Sequence, residues 1–407
     1  MLQRLISALF SALCLLGIVC TTRLALADYY AREGRAIPEQ MARVIGLEKS
    51  DATYLYQRAL KESRAGPATV ALLHQALTLN PRFTRARLSL AIAQEGQGDF
   101  PNAEANLLAA AKADLTWTPR WTLANYYLRR SNMAGFWHWV RLAAAVPYAD
   151  SAPIFPLCWR VSDNPAEILE RAIPPAPDIR KRYLGYLLTA SRLDAAEVLA
   201  VEISRDAAAA DRDLLLGYCD RMLDEKRAGA AVSVWNAMIG RGVLPYQALD
   251  AAAGAGLTNG ELSTSPISRG FDWRIPRTEG VSTTYFGAQR ELRISLSGRQ
   301  PESCEVLRQY IPVDALGQYT FHNRYRTESL TAKSGLRWQV HDALGGEPAG
   351  ESELLASEDG STATISFRPP PGCLLAILTL HYTRPLGSTR AEGNLVLQNM
   401  MLDRKPQ

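Results

Sequence analysis

Apolar positions along the chain follow two different periods, and the change from one to the other falls near residue 257. Up to about residue 256 an Ala- and Leu-rich pattern recurs every 3 to 4 positions, the spacing of one helix face. From residue 271 onward the period drops to 2, with Gly, Pro and Ser turns at short intervals. Leu292, Ile294 and Leu296 alternate with Arg293 and Ser295, and Tyr319, Phe321 and Tyr325 alternate with Thr320, His322 and Arg324. Leu336, Trp338 and Val340, then Ala363, Ile365 and Phe367, then Leu374, Leu378 and Leu380, then Leu395 and Leu397 continue the habit. About eight or nine short strands of this kind predict an antiparallel two-sheet sandwich of jelly-roll type over 257–407. In the run Phe271-Asp272-Trp273-Arg274-Ile275, the same alternation places Phe271, Trp273 and Ile275 on one strand face. Trp273 is therefore expected to be a core anchor rather than a sugar platform.

The helical part repeats. Ala76, Ala110 and Ala144 fall 34 residues apart, and Phe83 aligns with Trp117 in the same frame. Small side chains at a fixed place in successive helix pairs let the helices approach closely. Gly98-Asp99-Phe100-Pro101-Asn102-Ala103 reads as a turn and a new helix start, and Pro81 stops the helix before it. Further on, Leu184-Gly185-Tyr186 recurs as Leu216-Gly217-Tyr218, each followed by an Ala-rich helix. These units predict one right-handed helical solenoid over 28–256, of five or six hairpins, with a break in the Pro-rich interval 147–177. The concave side of such an array is the expected docking surface for a protein partner. Phe136-Trp137-His138-Trp139 cannot all face one way around a helix, so the cluster is expected to be mostly packing.

These repeats resemble the tetratricopeptide repeat, whose small-residue position matches Ala76, Ala110 and Ala144, whose Gly-x-Tyr/Phe-x-x-Ala segment matches Gly98, Phe100 and Ala103, and whose closing Pro matches Pro81. Leu115 stands where a closing Pro would, so the third unit departs from the pattern. The later region resembles carbohydrate-binding modules with a galactose-binding-like sandwich. Asn259-Gly260-Glu261-Leu262 is similar to their opening segment, Gly317-Gln318-Tyr319-Thr320-Phe321 and Gly335-Leu336-Arg337-Trp338 to following strands, and Gly393-Asn394-Leu395-Val396-Leu397 to the last. A solenoid followed by Phe-Asp-Trp-Arg-Ile is similar to exported proteins associated with exopolysaccharide production, and that setting is implied by the resemblance alone. Family members often hold a structural calcium between acidic groups of the opening and final segments. Here the final strand reads Gln398-Asn399-Met400-Met401, which leaves Glu261 without an acidic partner and argues against calcium.

Were the strands at 319–326, 336–341 and 374–382 neighbours, alternation would gather His322, Arg324, Arg326, Arg337, Gln339, His341, Thr379 and His381 on one polar, basic face. Guanidinium forks grip carboxylates and Gln or His bonds to hydroxyls, so an acidic polysaccharide is the ligand this face would suit. A solvated sheet face is the plainer reading of the same residues.

Charge and composition narrow the rest. Of 407 residues, 45 are basic and 41 acidic, for a formal net charge of +4, with no basic block of the kind nucleic acid requires. Arg4, the apolar run from Leu5 to Val19 and Ala25-Leu26-Ala27 form an export signal over 1–27, cleaved before Asp28, so the chain is expected in the periplasm or secreted. That compartment permits disulfides, and Cys158, Cys219, Cys304 and Cys373 allow three pairings, of which pairing within each domain is the simplest. No His-Glu-x-x-His, Gly-x-Ser-x-Gly, P-loop or zinc spacing occurs, so no catalytic residue, metal or cofactor is assigned. The resulting expectation is a non-catalytic adaptor, peripheral to a membrane at most. A protein-only scaffold and a polysaccharide-processing enzyme are the alternatives. N-terminal sequencing of the exported chain is expected to read Asp-Tyr-Tyr; recovery of a chain still carrying Met1 would show instead that the segment stays as an anchor.

Overall fold

In a computed structural model of the chain, residues 2–32, 51–62, 66–147, 152–330 and 334–405 are described. The chain is a helical solenoid followed by an antiparallel β-sandwich, and it divides into two compact units, Met1–Ile179 and Arg180–Gln407. The first unit begins with α1 (Leu2–Arg32), within which Ile6–Leu26 is long and apolar enough to cross a membrane and holds no buried residue. That stretch exceeds the Leu5–Val19 run because Thr21, Thr22 and Arg23 interrupt the apolar pattern without ending the helix.

Antiparallel pairs follow: α2 (Ala52–Lys61) with α3 (Pro67–Leu79), α4 (Thr84–Gly96) with α5 (Phe100–Ala113), and α6 (Trp117–Arg129) with α7 (Met133–Ala144). Ala76, Ala110 and Ala144 are each buried at the seams of these pairs, as the 34-residue spacing requires. Phe136 and Trp137 are core, while His138 is exposed. The interval read as a Pro-rich break holds two short helices, α8 (Ile154–Val161) and α9 (Pro165–Arg171). Their prolines sit in first turns, where the missing N–H has no intrahelical acceptor to lose, so proline starts these helices rather than stopping them.

The second unit carries α10 (Pro177–Thr189), which straddles the unit boundary, then α11 (Leu193–Arg205), α12 (Arg212–Asp224) and α13 (Ala228–Gly240). Four hairpin turns use one device. Gly98, Ser131, Ser191 and Lys226 adopt positive φ (83°, 57°, 56° and 62°), and the next N–H bonds back to the helix just ended, as in Asp99 N to Gln94 O and Arg227 N to Met222 O. Only one of the four is glycine, which is why the repeat is faint in the sequence.

Nine strands make two sheets. The five-stranded sheet has the order β1 (Val281–Phe286), β2 (Glu291–Ser297), β9 (Glu392–Lys405), β4 (Gln318–Glu328), β7 (Ser361–Phe367); the four-stranded sheet has β3 (Ser303–Pro312), β8 (Leu375–Thr383), β5 (Leu336–Asp342), β6 (Gly350–Glu351). Leu292, Phe321, Leu395, Trp338, Leu378 and Leu380 from both sheets share one core. A bulge between Glu305 and Leu307 breaks the alternation of β3, so period alone does not reveal that strand.

The Phe271–Ile275 run is not a regular strand; it makes a single bridge, Arg274 to Arg308. Phe271 and Trp273 also do not share a core. Phe271 packs edge-on to Trp235 of α13 at 5.6 Å, whereas Trp273 packs against Trp338 in the sandwich at 5.8 Å. Between them Asp272 is fully buried and accepts from Ile267 N, Trp273 N, the Tyr246 hydroxyl and Asn259 Nδ2. Burial pushes its carboxyl pKa up, against these donors, which favour the ionised form. Asp220 on α12 accepts from Arg269, Arg274 and the Gly270 N–H at 2.9, 2.7 and 2.7 Å. Gly270 has φ +58°, and an added Cβ would lie 2.3 Å from the Trp235 ring. The last helix pair and the sandwich are therefore stitched together inside one unit. Asp220→Ala is expected to destabilise the chain by about 2–4 kcal/mol, because two guanidinium groups and an N–H lose a charged acceptor. Urea unfolding of this variant, together with faster proteolysis between 256 and 270, would check it; parent-like stability would contradict the stitching role.

Candidate functional site

The eight residues expected on one polar face, Thr379 on β8 among them, do not form one face. β4 belongs to the five-stranded sheet, while β5 and β8 belong to the four-stranded sheet. Outward-facing residues of two packed sheets point in opposite directions, so His322, Arg324 and Arg326 lie on one outer surface and Arg337, Gln339, His341 and His381 on the other. Alternation read the outward positions of each strand; strand order, which alternation does not encode, separated them.

On the four-stranded sheet the register sets Arg337 opposite His381 and Gln339 opposite Thr379. Glu351 on the edge strand accepts from Arg337 at 2.9 Å and from Gln339 at 2.6 Å. Burial raises the Glu351 pKa, but these bonds outweigh it and hold the carboxyl below its usual value. His381 meets the Ser303 hydroxyl at 2.8 Å, and its pKa is lowered by burial. This surface is largely satisfied by its own partners.

The five-stranded sheet carries the richer array. Arg326 grips Glu291 with two bonds, 2.8 and 3.0 Å, and Gln398 donates to the same carboxylate at 2.6 Å. Arg293 reaches Glu328 at 3.2 Å and lies 5.2 Å from the Phe286 ring centroid. Val396, paired with both Arg293 and Arg326 in register, is fully buried on this outer side beneath their aliphatic stems. His322 contacts Thr364 at 3.1 Å and Asp403 at 3.7 Å. Arg324 differs from the rest: it follows a bulge between Asn323 and Arg324, is exposed, and its guanidinium has no ion pair among the described residues. Its register partners are Thr362 and Gln398, so Thr362, Arg324, Gln398 and Glu291 form a row of polar side chains across β7, β4, β9 and β2, within which Gln398 bonds to Glu291. Glu291, Arg293, Glu328 and Gln398 were missed by the sequence analysis as site members; the outward positions of β2 and β9 would have given them once those strands were known to flank β4.

The opening segment and the final strand meet as the resemblance implies, with Met400 N bonded to Gly260 O at 2.8 Å beside a cleft of about 470 Å³ that Asn259, Glu261, Ser263, Met401 and Asp403 help to line. Glu261 pairs with Arg290, Asn259 is committed to Thr264 and Asp272, and the final strand brings Met400, Met401 and the carboxylate of Asp403 to this cleft. Among the described residues no three His, Cys, Asp or Glu side chains come together.

The expected disulfides are also absent, since Cys158, Cys219, Cys304 and Cys373 are all free thiols. Cys304 is opposite Tyr382 at one end of the β3–β8 ladder, and Cys373 precedes Leu375 at the other, so the strand length keeps them apart. Cys158 and Cys219 are buried in the cores of different units, and burial pushes the Cys158 thiol up to about 12.

No family model and no curated protein matches the chain. A solved structure described as "CBM4 structure and function" is similar to it at 9% identity and a TM-score of 0.28, covering 36% of this chain and 98% of that one.

The two Arg326 bonds hold the Glu291 carboxyl below its usual pKa, with burial opposing. A depressed folded-state value means the pair stabilises the protein above the unfolded carboxylate pKa, and that this contribution is lost as pH falls through the folded value. Glu291→Gln is therefore expected to cost about 1–3 kcal/mol at neutral pH, with the difference from the parent shrinking towards acid. Chemical denaturation across pH would check it; a difference that grew as pH fell would contradict the assignment.

Proposed function

We propose that the chain is an exported, non-catalytic adaptor whose sandwich binds a glycan on the outer face of the five-stranded sheet and whose solenoid docks a protein partner. The observation that carries the reading is the row Thr362, Arg324, Gln398 and Glu291, in which one guanidinium is exposed and unpaired among side chains suited to hydroxyl groups. Arg293 and Arg326 are neutralised by Glu291 and Glu328, so the guanidinium groups this face leaves for a carboxylate are Arg324 and, at the end of the sheet, Arg368. A polysaccharide with widely spaced acidic sugars suits it better than a dense polyanion. Exopolysaccharide assembly or export, in the periplasm or outside the cell, is the setting this reading favours. The exposed apolar helix near the N-terminus supports passage to a membrane.

A second reading has an observation of its own. The Arg326–Glu291 and Arg337–Glu351 pairs complete themselves without a ligand, which suits a sandwich serving only as a rigid protein scaffold. The chain from Asp28 onward, rather than the isolated sandwich, is the proper probe, because the sandwich shares its compact unit with α11–α13. Against a panel of neutral and acidic polysaccharides, Arg324→Ala is expected to weaken acidic-polymer binding about tenfold, while Arg337→Ala on the opposite face leaves it unchanged. Equal loss in both variants would contradict the face assignment, and no binding by the folded parent would favour the protein-only scaffold.

A further inference from the structure

One end of the sandwich displays leucines where turns ordinarily place polar residues. Leu316, Leu344 and Leu374 are 80%, 75% and 63% exposed, and each sits in a different loop. The loops converge because the strands they join are neighbours: Val313 N bonds to Leu374 O at 3.1 Å, and Ala343 N bonds to Leu375 O at 2.9 Å. Each loop is held in shape. Asp314 accepts from Leu316 N at 3.0 Å and closes a turn with Gly317, Asp342 accepts from Leu344 N at 2.9 Å, and Leu374 follows three consecutive prolines, Pro369 to Pro371. Isolated exposed leucines are common; three on rigid neighbouring loops at one pole form an apolar tip.

Cations accompany the tip. Arg368 and Lys405 are exposed and, with Leu316 and Gln318, line a cleft of about 400 Å³ at its side. Arg368 bonds to Gln318 at 3.4 Å, and Gln318 pairs in register with Lys405. Asp314, the acidic residue of the nearest loop, is neutralised by Arg404 at 2.5 Å. Asp342 and Glu347 belong to the Leu344 loop at this same end and do not line that cleft. Exposed leucines beside a lysine and an arginine match the chemistry of an anionic membrane surface, where acyl chains lie beneath phosphate headgroups.

We infer that this end of the sandwich docks on an anionic phospholipid bilayer, with Leu316, Leu344 and Leu374 entering the interface and Arg368 and Lys405 contacting headgroup phosphates. The inference uses none of the side chains of the Arg324 row, although Gln318, Arg368 and Lys405 stand at the end of the same outer surface of the five-stranded sheet. It also suits a chain whose N-terminal helix is long and apolar enough to cross a membrane. Three side chains and two charges give reversible adhesion rather than permanent insertion.

The test is flotation of the chain beginning at Asp28 with phosphatidylcholine vesicles, with and without phosphatidylglycerol. Starting at Asp28 takes away a competing apolar segment, Ile6–Leu26, in which no residue is buried. The parent is expected to float with phosphatidylglycerol vesicles and far less with phosphatidylcholine alone. Leu316→Ser, Leu344→Ser, Leu374→Ser together should reduce partitioning about 100-fold, and Arg368→Glu with Lys405→Glu should remove the preference for anionic lipid. Leu386→Ser is the control, since Leu386 is 99% exposed but lies in the loop after β8, at the other end of the sandwich. A parent that ignores anionic vesicles, a triple variant that floats like the parent, or a Leu386 variant that fails equally would each overturn the inference. Polysaccharide binding measured on the same variants separates its failure from failure of the glycan reading.

Discussion

Asp272 and Asp220 hold together a stretch of chain that has to serve two cores at once. Phe271 enters the aromatic stack of Trp235 and Tyr246 beside α13, and Trp273 enters the sandwich against Trp338, only two residues further on. A chain that turns so sharply between two apolar sites cannot satisfy its backbone with a strand ladder. Its N–H groups go to carboxylates instead, Ile267 and Trp273 to Asp272 and Gly270 to Asp220. Each buried ring contributes about 2–3 kcal/mol of apolar burial, but only while both carboxylates keep their donors. The register of everything downstream begins from this point, since Arg274 makes the first bridge to β3.

The sandwich that follows concentrates its uncommitted chemistry at two places. One is the outer face of the five-stranded sheet, where self-completed ion pairs surround the exposed Arg324. The other is the leucine-bearing pole beside Arg368 and Lys405. The leucines lie at an end of the sandwich, and Arg368 and Lys405 stand where that end meets the same outer face. The Arg324 row and the leucine-bearing pole share no side chain, so one domain could hold a glycan and a membrane together.

Much of this was legible in the residues. Equal spacing of Ala76, Ala110 and Ala144 marked the packed seams, because a seam between helices tolerates only small side chains at a recurring place. Period-two alternation located β2, β4, β5, β7, β8 and β9, since each has one face in the shared core. It failed at β3, where a bulge shifts the period, and at β1, an edge strand rich in Ser and Thr with a weakly buried face. It also misread Phe271 and Trp273 as one face, because alternation reports that residues are buried and not which core receives them.

The sequence by itself determined the class of each half and the outward or inward sense of most strand positions, because those follow from local period and side-chain polarity. Tertiary structure alone decided which strands are neighbours, and with it the separation of Arg324 and Arg326 from Arg337 and His381, the free state of the four cysteines, and the meeting of Leu316, Leu344 and Leu374. Each of these depends on residues far apart in the chain, brought together by closure of two sheets around a common core. No local pattern records that pairing.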